Sequence, residues 1–131
     1  MESQQEPAPD QVTVFEIVGS QYFVDLVDQF YVGVESDELL RPMYPNDLTG
    51  ARERLAGFLV QYWGGPATYS EERGHPRLRM RHAPFAVGTA ARDAWVSHML
   101  AALTASDAPD PVKEAIGSYF VNTAEFLRNA E

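Results

Sequence analysis

Residues 62–85 read YWGGPATYSEERGHPRLRMRHAPF, and this stretch decides how the rest of the chain is interpreted. Gly64-Gly65-Pro66 ends the helix before it, because glycine and proline together stop a helix. Residues 66–76 show no periodicity and are predicted to form a long loop, which in a compact domain is usually functional. A short helix over 77–82 is expected to follow, with Pro84 closing it.

Apolar residues recur at three- and four-residue spacing on both sides of this stretch, as in amphipathic helices. A short apolar turn begins at Thr13 and stops at Gly19, and Ser20 then caps a helix over 20–35. A second helix is predicted over 46–62, after a helical turn over 37–41. Two more helices are predicted downstream, over 89–104 and 112–127. No alternating strand pattern appears, so the fold is predicted to be all-α, with four long helices that can pack as two antiparallel pairs.

Composition limits the class of protein. The 131 residues fit one domain, predicted over 13–131, and residues 1–12 are predicted to be a disordered tail. The net charge of −9 argues against a nucleic-acid partner, since phosphate binding needs a basic face. No apolar run approaches the roughly 20 residues of a membrane span, and no signal segment opens the chain, so a cytoplasmic protein is expected. Because the chain has no cysteine, any metal must be held by histidine, carboxylate or tyrosine.

Histidine and arginine are concentrated at the end of the quoted stretch. His82 is the favoured metal ligand, His75 competes with it, and His98 lies in a helix where a structural histidine is commoner. The arginines at this turn offer guanidinium groups to carboxylates. A ligand that carries both iron and carboxylates would use both features, although an ordinary four-helix domain remains a possible interpretation of the periodicity. The arginines are Arg73, Arg77, Arg79 and Arg81.

Five motifs occur in a fixed order along the chain and together resemble the truncated haemoglobins of group II, the O-type. They are Phe30-Tyr31, Tyr44-Pro45, Tyr62-Trp63-Gly64-Gly65-Pro66, Gly74-His75-Pro76-Arg77-Leu78-Arg79-Met80-Arg81-His82 and Asp93-Ala94-Trp95. The resemblance covers residues 14 to about 127. It implies a two-over-two helical sandwich around haem b, with a reduced first helix and a long loop before the short proximal helix.

The resemblance also implies roles for individual residues. His82 matches the proximal ligand of the haem iron, and Arg81 matches a residue that pairs with a haem propionate, with help from Tyr69 or His75. On the distal side Tyr31, Tyr44 and Trp95 each offer one hydrogen-bond donor, whereas Tyr119 is expected outside the pocket. Ala51 leaves room for ligand entry. The other expected pocket residues are Phe30, Leu55, Phe58, Met80 and Met99.

The function implied is reversible binding of oxygen, carbon monoxide, nitric oxide and similar small ligands. A carrier or store, a redox enzyme that oxidises nitric oxide or handles peroxide, and a sensor all remain open. Donors around the ligand favour slow release and hence redox chemistry, while a sensor would normally need an output domain. A reductase partner and a homodimer are further expectations from the family. A helical interaction domain without haem is the remaining alternative.

Overall fold

The computed structural model describes residues 12–82 and 87–129, and in this part of the chain every regular element is helical. The predicted tail lies outside the described residues except for Val12, and Pro84 also lies outside them. No helix of the described part is long and apolar enough to cross a membrane. The helices are α1 (Val14–Glu35), a 3-10 helix (Arg41–Met43), α2 (Thr49–Tyr62), α3 (Thr68–Arg73), α4 (Leu78–His82), α5 (Thr89–Ala105) and α6 (Asp110–Leu127).

Helix α1 begins with a capping box and is interrupted at a glycine. The Thr13 hydroxyl accepts from the Glu16 amide at 3.1 Å, and the Glu16 carboxylate accepts from the Thr13 amide at 2.9 Å. Gly19 then leaves the helical conformation with φ 81° and ψ 169°, a region that favours glycine. The predicted stop at Gly19 is therefore confirmed, and the longer part of α1 starts directly after it.

The long helices form the predicted two pairs. Helix α1 packs against α2, α5 packs against α6, and α1 also packs against α5, which joins the pairs. Burial of apolar side chains in this way is the main term that stabilises a helical domain. The all-α, two-over-two prediction is confirmed. The largest fully buried side chains are Phe23, Leu26, Val27, Phe30, Val34, Leu40, Leu59, Met99 and Ile116.

The segment predicted as a loop contains helix α3, so that prediction was wrong for Thr68–Arg73. This helix buries Tyr69 against Phe58, with 5.8 Å between ring centroids. The Gln61 side chain holds Ser70 through bonds of 2.7 and 2.8 Å. A single buried residue in a six-residue helix produces no periodic pattern, so this helix could not be recognised from the sequence.

The corner between α1 and α2 is fixed by side chains that bind its backbone. Asp37 Oδ1 accepts from the amides of Leu39 and Leu40 at 2.8 and 3.1 Å, in the manner of an Asx turn. The Arg41 guanidinium donates to the carbonyls of Pro45 and Asn46 at 2.9 and 2.8 Å. These bonds fix the backbone of the corner and therefore the position of Tyr44, which lies within it.

Candidate functional site

A cavity of about 430 Å³ lies among the helices, and α1, the corner, α2, α3, α4, α5 and α6 all contribute to its walls. Cofactor and small-molecule sites typically have volumes of about 300–1,000 Å³ and mainly apolar walls with a few polar groups. This cavity fits both criteria, because most of its lining side chains are apolar. The lining residues with side-chain polar atoms are Tyr31, Tyr44, Arg54, Tyr69, Arg81, His82, Arg92, Trp95, Tyr119 and Thr123.

His82 is held in one orientation by a bond within its own helix. Its Nδ1 lies 2.8 Å from the Leu78 carbonyl oxygen, four residues earlier. Because a carbonyl oxygen can only accept, Nδ1 must carry the proton and donate it. The lone pair of the imidazole is then on Nε2, and the side chain lines the cavity. A neutral imidazole fixed in this tautomer is the usual form of a histidine metal ligand.

Asn129, just beyond α6, holds the chain on both sides of the undescribed residues 83–86. Its amide side chain donates to the His82 carbonyl at 3.4 Å. It also exchanges two bonds with Val87: the Val87 amide donates to Asn129 Oδ1 at 2.8 Å, and the Asn129 amide donates to the Val87 carbonyl at 2.9 Å. Nothing in the sequence pointed to this contact, because the residues are more than 40 positions apart.

Arg81 lies at the edge of the cavity and is oriented by the segment before it. Its Nη1 donates to the Tyr69 hydroxyl at 3.0 Å, and its Nη2 donates to the carbonyls of Arg73 and His75 at 3.0 and 3.1 Å. A guanidinium has further N–H donors beyond these, so it can still bind a carboxylate. Tyr69 lines the cavity, whereas His75 is exposed and its Nδ1 accepts from the Arg77 amide at 3.0 Å.

Arg54 and Arg92 also line the cavity, and the sequence analysis missed both. Arg92 forms ion pairs with Asp93 at 2.6 Å and with Glu125. Spacing could have indicated them, because Arg54 lies one helical turn before Phe58 and Arg92 one turn before Trp95. Because the two carboxylates of these ion pairs offset the charge of Arg92, the positive charge at the cavity comes mainly from Arg54 and Arg81.

Tyr31, Tyr44 and Trp95 come together on the walls formed by α1, the corner and α5. The Tyr31 and Tyr44 rings lie 5.6 Å apart, edge to face, and burial raises the pKa of both phenols. Interaction with Trp95 and with Tyr31 offsets part of the rise in the pKa of Tyr44 that burial causes. An indole N–H can only donate, so Trp95 can act only as a donor toward the Tyr44 oxygen.

Tyr44, Tyr31 and Trp95 thus lie together on the cavity wall. Trp95 is fixed by packing between Phe30 and Phe120, with ring centroids 4.8 and 5.3 Å away. Aromatic contacts at these distances stabilise one ring orientation. The cluster thus holds the Tyr44 hydroxyl at the cavity on a rigid aromatic support.

The remaining predicted pocket residues divide into three groups. Ala51, Leu55 and Phe58 line the cavity. Phe30 and Met99 are fully buried in the core and are absent from the lining. The structure does not bring Met80 to the cavity, because its side chain is 60% exposed. Met80 precedes His82 by two positions, about 200° around a helix, so the two side chains point to different sides.

Tyr119 was expected outside the pocket, and the structure corrects this: its side chain is part of the cavity wall. Tyr119, Thr123 and Leu127 recur every four residues on α6, and all three line the cavity. Residues four apart share a helix face. The spacing is visible in the sequence, but a four-residue repeat alone does not distinguish a helix face that lines a cavity from one that packs in the core.

Comparison with known proteins gives the same fold and a family. The family described as bacterial-like globin matches residues 13–129. The group 2 truncated haemoglobin YjbI of Bacillus subtilis (strain 168) is 39% identical over 115 residues, 88% of this chain and 87% of that protein. The chain belongs to the group 2 truncated haemoglobins.

Solved haemoglobins resemble this truncated haemoglobin over nearly their whole length. The structure of a haemoglobin from the thermophilic phototrophic bacterium Chloroflexus aurantiacus is 48% identical, covers 91% of this chain and 99% of its own, and has a TM-score of 0.88. A truncated oxygen-avid haemoglobin from Bacillus subtilis is 37% identical, covers 90% and 100%, and has a TM-score of 0.83. The predicted family is thereby confirmed.

Membership of the globins implies a haem cofactor, and the residues of the cavity suit one. The Nε2 lone pair of His82 is left free by the bond at Nδ1 and is an appropriate ligand for iron. Arg81 supplies donors for carboxylates at the cavity edge, and apolar side chains form most of the walls. When bound, haem supplies an iron that coordinates small diatomic molecules.

Proposed function

We propose that this truncated haemoglobin holds haem b through His82 Nε2 and reversibly binds oxygen, with carbon monoxide and nitric oxide as further ligands. The observation that carries the proposal is the 2.8 Å bond from His82 Nδ1 to the Leu78 carbonyl, in a side chain that lines the cavity. This bond fixes the tautomer and raises the basicity of the other nitrogen. Reversible oxygen binding is the simplest function that such a site serves in a globin.

Tyr44 acts in this proposal as the donor to the ligand. Tyr44 lines the cavity, and because its neighbour Trp95 can only donate to the phenol oxygen, the phenol proton is assigned to a group in the cavity. A donor in a cavity with little water stabilises partial negative charge on a ligand more than a donor in water does. Release of oxygen is therefore slow, by about tenfold for each 1.4 kcal/mol of added stabilisation. The oxygen-avid relative from Bacillus subtilis is in line with this.

Arg81 binds a haem propionate in this proposal, and Tyr69 and His75 orient it. The support is the set of bonds from its guanidinium to the Tyr69 hydroxyl and the His75 carbonyl, which leave other N–H groups unused. His75 thus contributes its backbone carbonyl. A cytoplasmic location, a reductase that keeps the iron ferrous and a homodimer complete the proposal as it follows from the family.

The test is an absorption spectrum of the protein reconstituted with haem, in the ferric, reduced and carbon-monoxide-bound states, for wild type and His82→Ala. We expect a Soret band that shifts with carbon monoxide in the wild type and loses its histidine-ligated character in the variant. A pyridine haemochromogen spectrum identifies haem b. Failure of the wild type to take up haem would contradict the proposal.

Nitric oxide oxidation is the second candidate, and the hydrogen-bonded cluster around Tyr44 favours it. A protein that retains oxygen is poorly suited to rapid delivery but suited to reaction with a second molecule. With a reductase supplying electrons, oxygen and nitric oxide would give nitrate over many turnovers. A single turnover followed by arrest would count against an enzyme, because most oxygen-bound globins carry out that one reaction.

A further inference from the structure

His98 and Asp37 form a hydrogen-bonded pair close to the ligand cavity but outside its walls. His98 lies on α5, three residues after Trp95, and its Nε2 is 2.7 Å from Asp37 Oδ2. The two residues are 61 positions apart, and their side chains are 29% and 18% exposed. Neither residue lines the cavity. The pair connects α5 directly to the corner that carries Tyr44.

A glycine of α1 makes room for the imidazole. A Cβ placed on Gly33 would lie 2.4 Å from His98 Nδ1, a distance that real Cβ atoms do not show. Glycine inside a helix is less favourable than alanine, because it loses more backbone freedom on folding. The close approach of His98 therefore explains a glycine in the last turns of α1, and it means that the ring rests against α1 as well as on Asp37.

Asp37 transmits this position along the corner to Tyr44. Its second carboxylate oxygen accepts from the amides of Leu39 and Leu40, and its carbonyl accepts from the Arg41 amide at 2.8 Å. The Arg41 carbonyl in turn accepts from the Tyr44 amide at 3.2 Å. A continuous series of hydrogen bonds thus runs from His98 to the backbone of Tyr44.

The two ends of this hydrogen-bond series, His98 and Tyr44, are both neighbours of Trp95. Trp95 and His98 are on one face of α5, since residues three apart on a helix are neighbours. Trp95 and Tyr44 line the same cavity and interact there, while His98 holds the backbone that carries Tyr44. The distance between α5 and the corner is therefore fixed at two points.

We propose that His98 and Asp37 are positioning residues that set the geometry of the Tyr44 donor relative to Trp95 and so control how long the haem ligand is retained. This inference rests on the proposed function, because the ligand is the one that Tyr44 contacts there. His98 touches neither haem nor ligand in this account. It acts only through the corner.

The first experiment measures oxygen dissociation by stopped flow in the haem-loaded protein for His98→Ala, Asp37→Ala and the double variant. We expect dissociation about fivefold faster in each single variant, the size of one net hydrogen bond. The double variant should be no faster than either single one, because both remove the same interaction. His98→Gln, whose amide N–H reaches the place of Nε2, should restore the wild-type rate. Ser97→Ala, at an exposed position on the same helix, is the control.

A background variant separates positioning from general destabilisation. In Tyr44→Phe protein, removal of His98 should leave the dissociation rate unchanged, because the donor through which His98 acts is gone. A further acceleration in that background would overturn the inference, since it would mean that His98 affects release by another route.

A second readout does not depend on ligand release. The chain has two tryptophans, Trp95 and Trp63, and the buried indole N–H of Trp63 has no hydrogen-bond partner among the described residues. In the carbon-monoxide form, hydrogen exchange of the Trp95 indole should accelerate in His98→Ala while that of Trp63 stays constant. Unchanged exchange and release in protein with a normal Soret spectrum would overturn the inference and leave the proposed function standing. A wild type that takes up no haem would overturn the proposed function first.

Discussion

His82 and Tyr44 face the same cavity but are held in different ways. His82 is oriented by a bond to a carbonyl four residues earlier, within a five-residue helix. Tyr44 is packed against Tyr31 and Trp95, which belong to other elements, and the corner that carries it is held by His98, 61 positions from Asp37. The ligand side chain for iron is thus fixed locally, whereas the donor for the gas depends on tertiary packing. Changes distant in sequence should therefore alter ligand retention before they alter haem binding.

The largest expected effect is on haem binding through His82, the side chain that is held within its own helix. His82→Gly removes the proposed iron ligand. Loss of only the hydrogen-bond partner of a metal ligand already lowers metal affinity about 10- to 100-fold. Without the ligand itself, haem should therefore dissociate at least about 100-fold faster. Transfer of haem to an excess of an apo-globin acceptor measures this rate. Imidazole added to the variant should restore a histidine-like spectrum. A variant that keeps the wild-type spectrum without imidazole would show that another residue is the ligand.

The next effect concerns the donor held by tertiary contacts. Tyr44→Phe should accelerate oxygen dissociation about tenfold by removing a hydrogen bond to the ligand in a cavity with little water. Trp95→Phe should have a smaller effect, since Tyr44 keeps its hydroxyl. Stopped-flow dissociation rates test both variants.

The control for these variants is Tyr22→Phe, which also removes one hydroxyl. Tyr22 is outside the cavity lining, and its hydroxyl lies 2.7 Å from Ser106 Oγ. Tyr119 is not suitable as this control, because it lines the cavity. If both pocket variants release oxygen at the wild-type rate, the donor role of Tyr44 is wrong.

A smaller effect should follow from removing a long-range contact of the His82 segment, the one with Asn129 beyond α6. Asn129→Ala removes side-chain bonds to His82 and Val87, each worth about 1 kcal/mol. Haem loss should accelerate a few-fold, while oxygen dissociation stays within error of the wild type. Measuring both rates on one preparation checks the independence of the two sides. A change in oxygen release comparable to that in haem loss would contradict it.

The smallest effect is a dependence of stability on acid. The hydrogen bond from His98 holds the pKa of Asp37 below its ordinary value of 3.8. A lowered pKa in the folded state contributes stability above 3.8, and that contribution is lost as the pH falls from there through the folded pKa. The free energy of unfolding, measured with urea between pH 5 and pH 3, should decline less steeply with falling pH for Asp37→Asn than for the wild type. Equal slopes would mean that the pair does not contribute.

The sequence predicted what local patterns determine and missed what packing determines. Periodicity located the long helices, and Gly19 correctly marked an interruption. Helix α3 escaped because it buries only Tyr69. The inward face of α4 cannot be read from five residues, so Met80 was assigned to a cavity that it does not reach. The bond between His98 and Asp37 joins residues 61 apart, and no spacing rule connects them.

The cavity wall also has a consequence for the order in which the protein folds. Its lining runs from Tyr31 to Leu127, so the last helix is part of it. During synthesis the first helix pair emerges well before α6, and contacts between distant residues form late because closing long loops costs entropy. Haem should therefore be captured only after α6 has left the ribosome. A nascent chain stalled before residue 110 would expose the apolar surfaces that later face the cofactor, and at this stage a chaperone would be most useful to it.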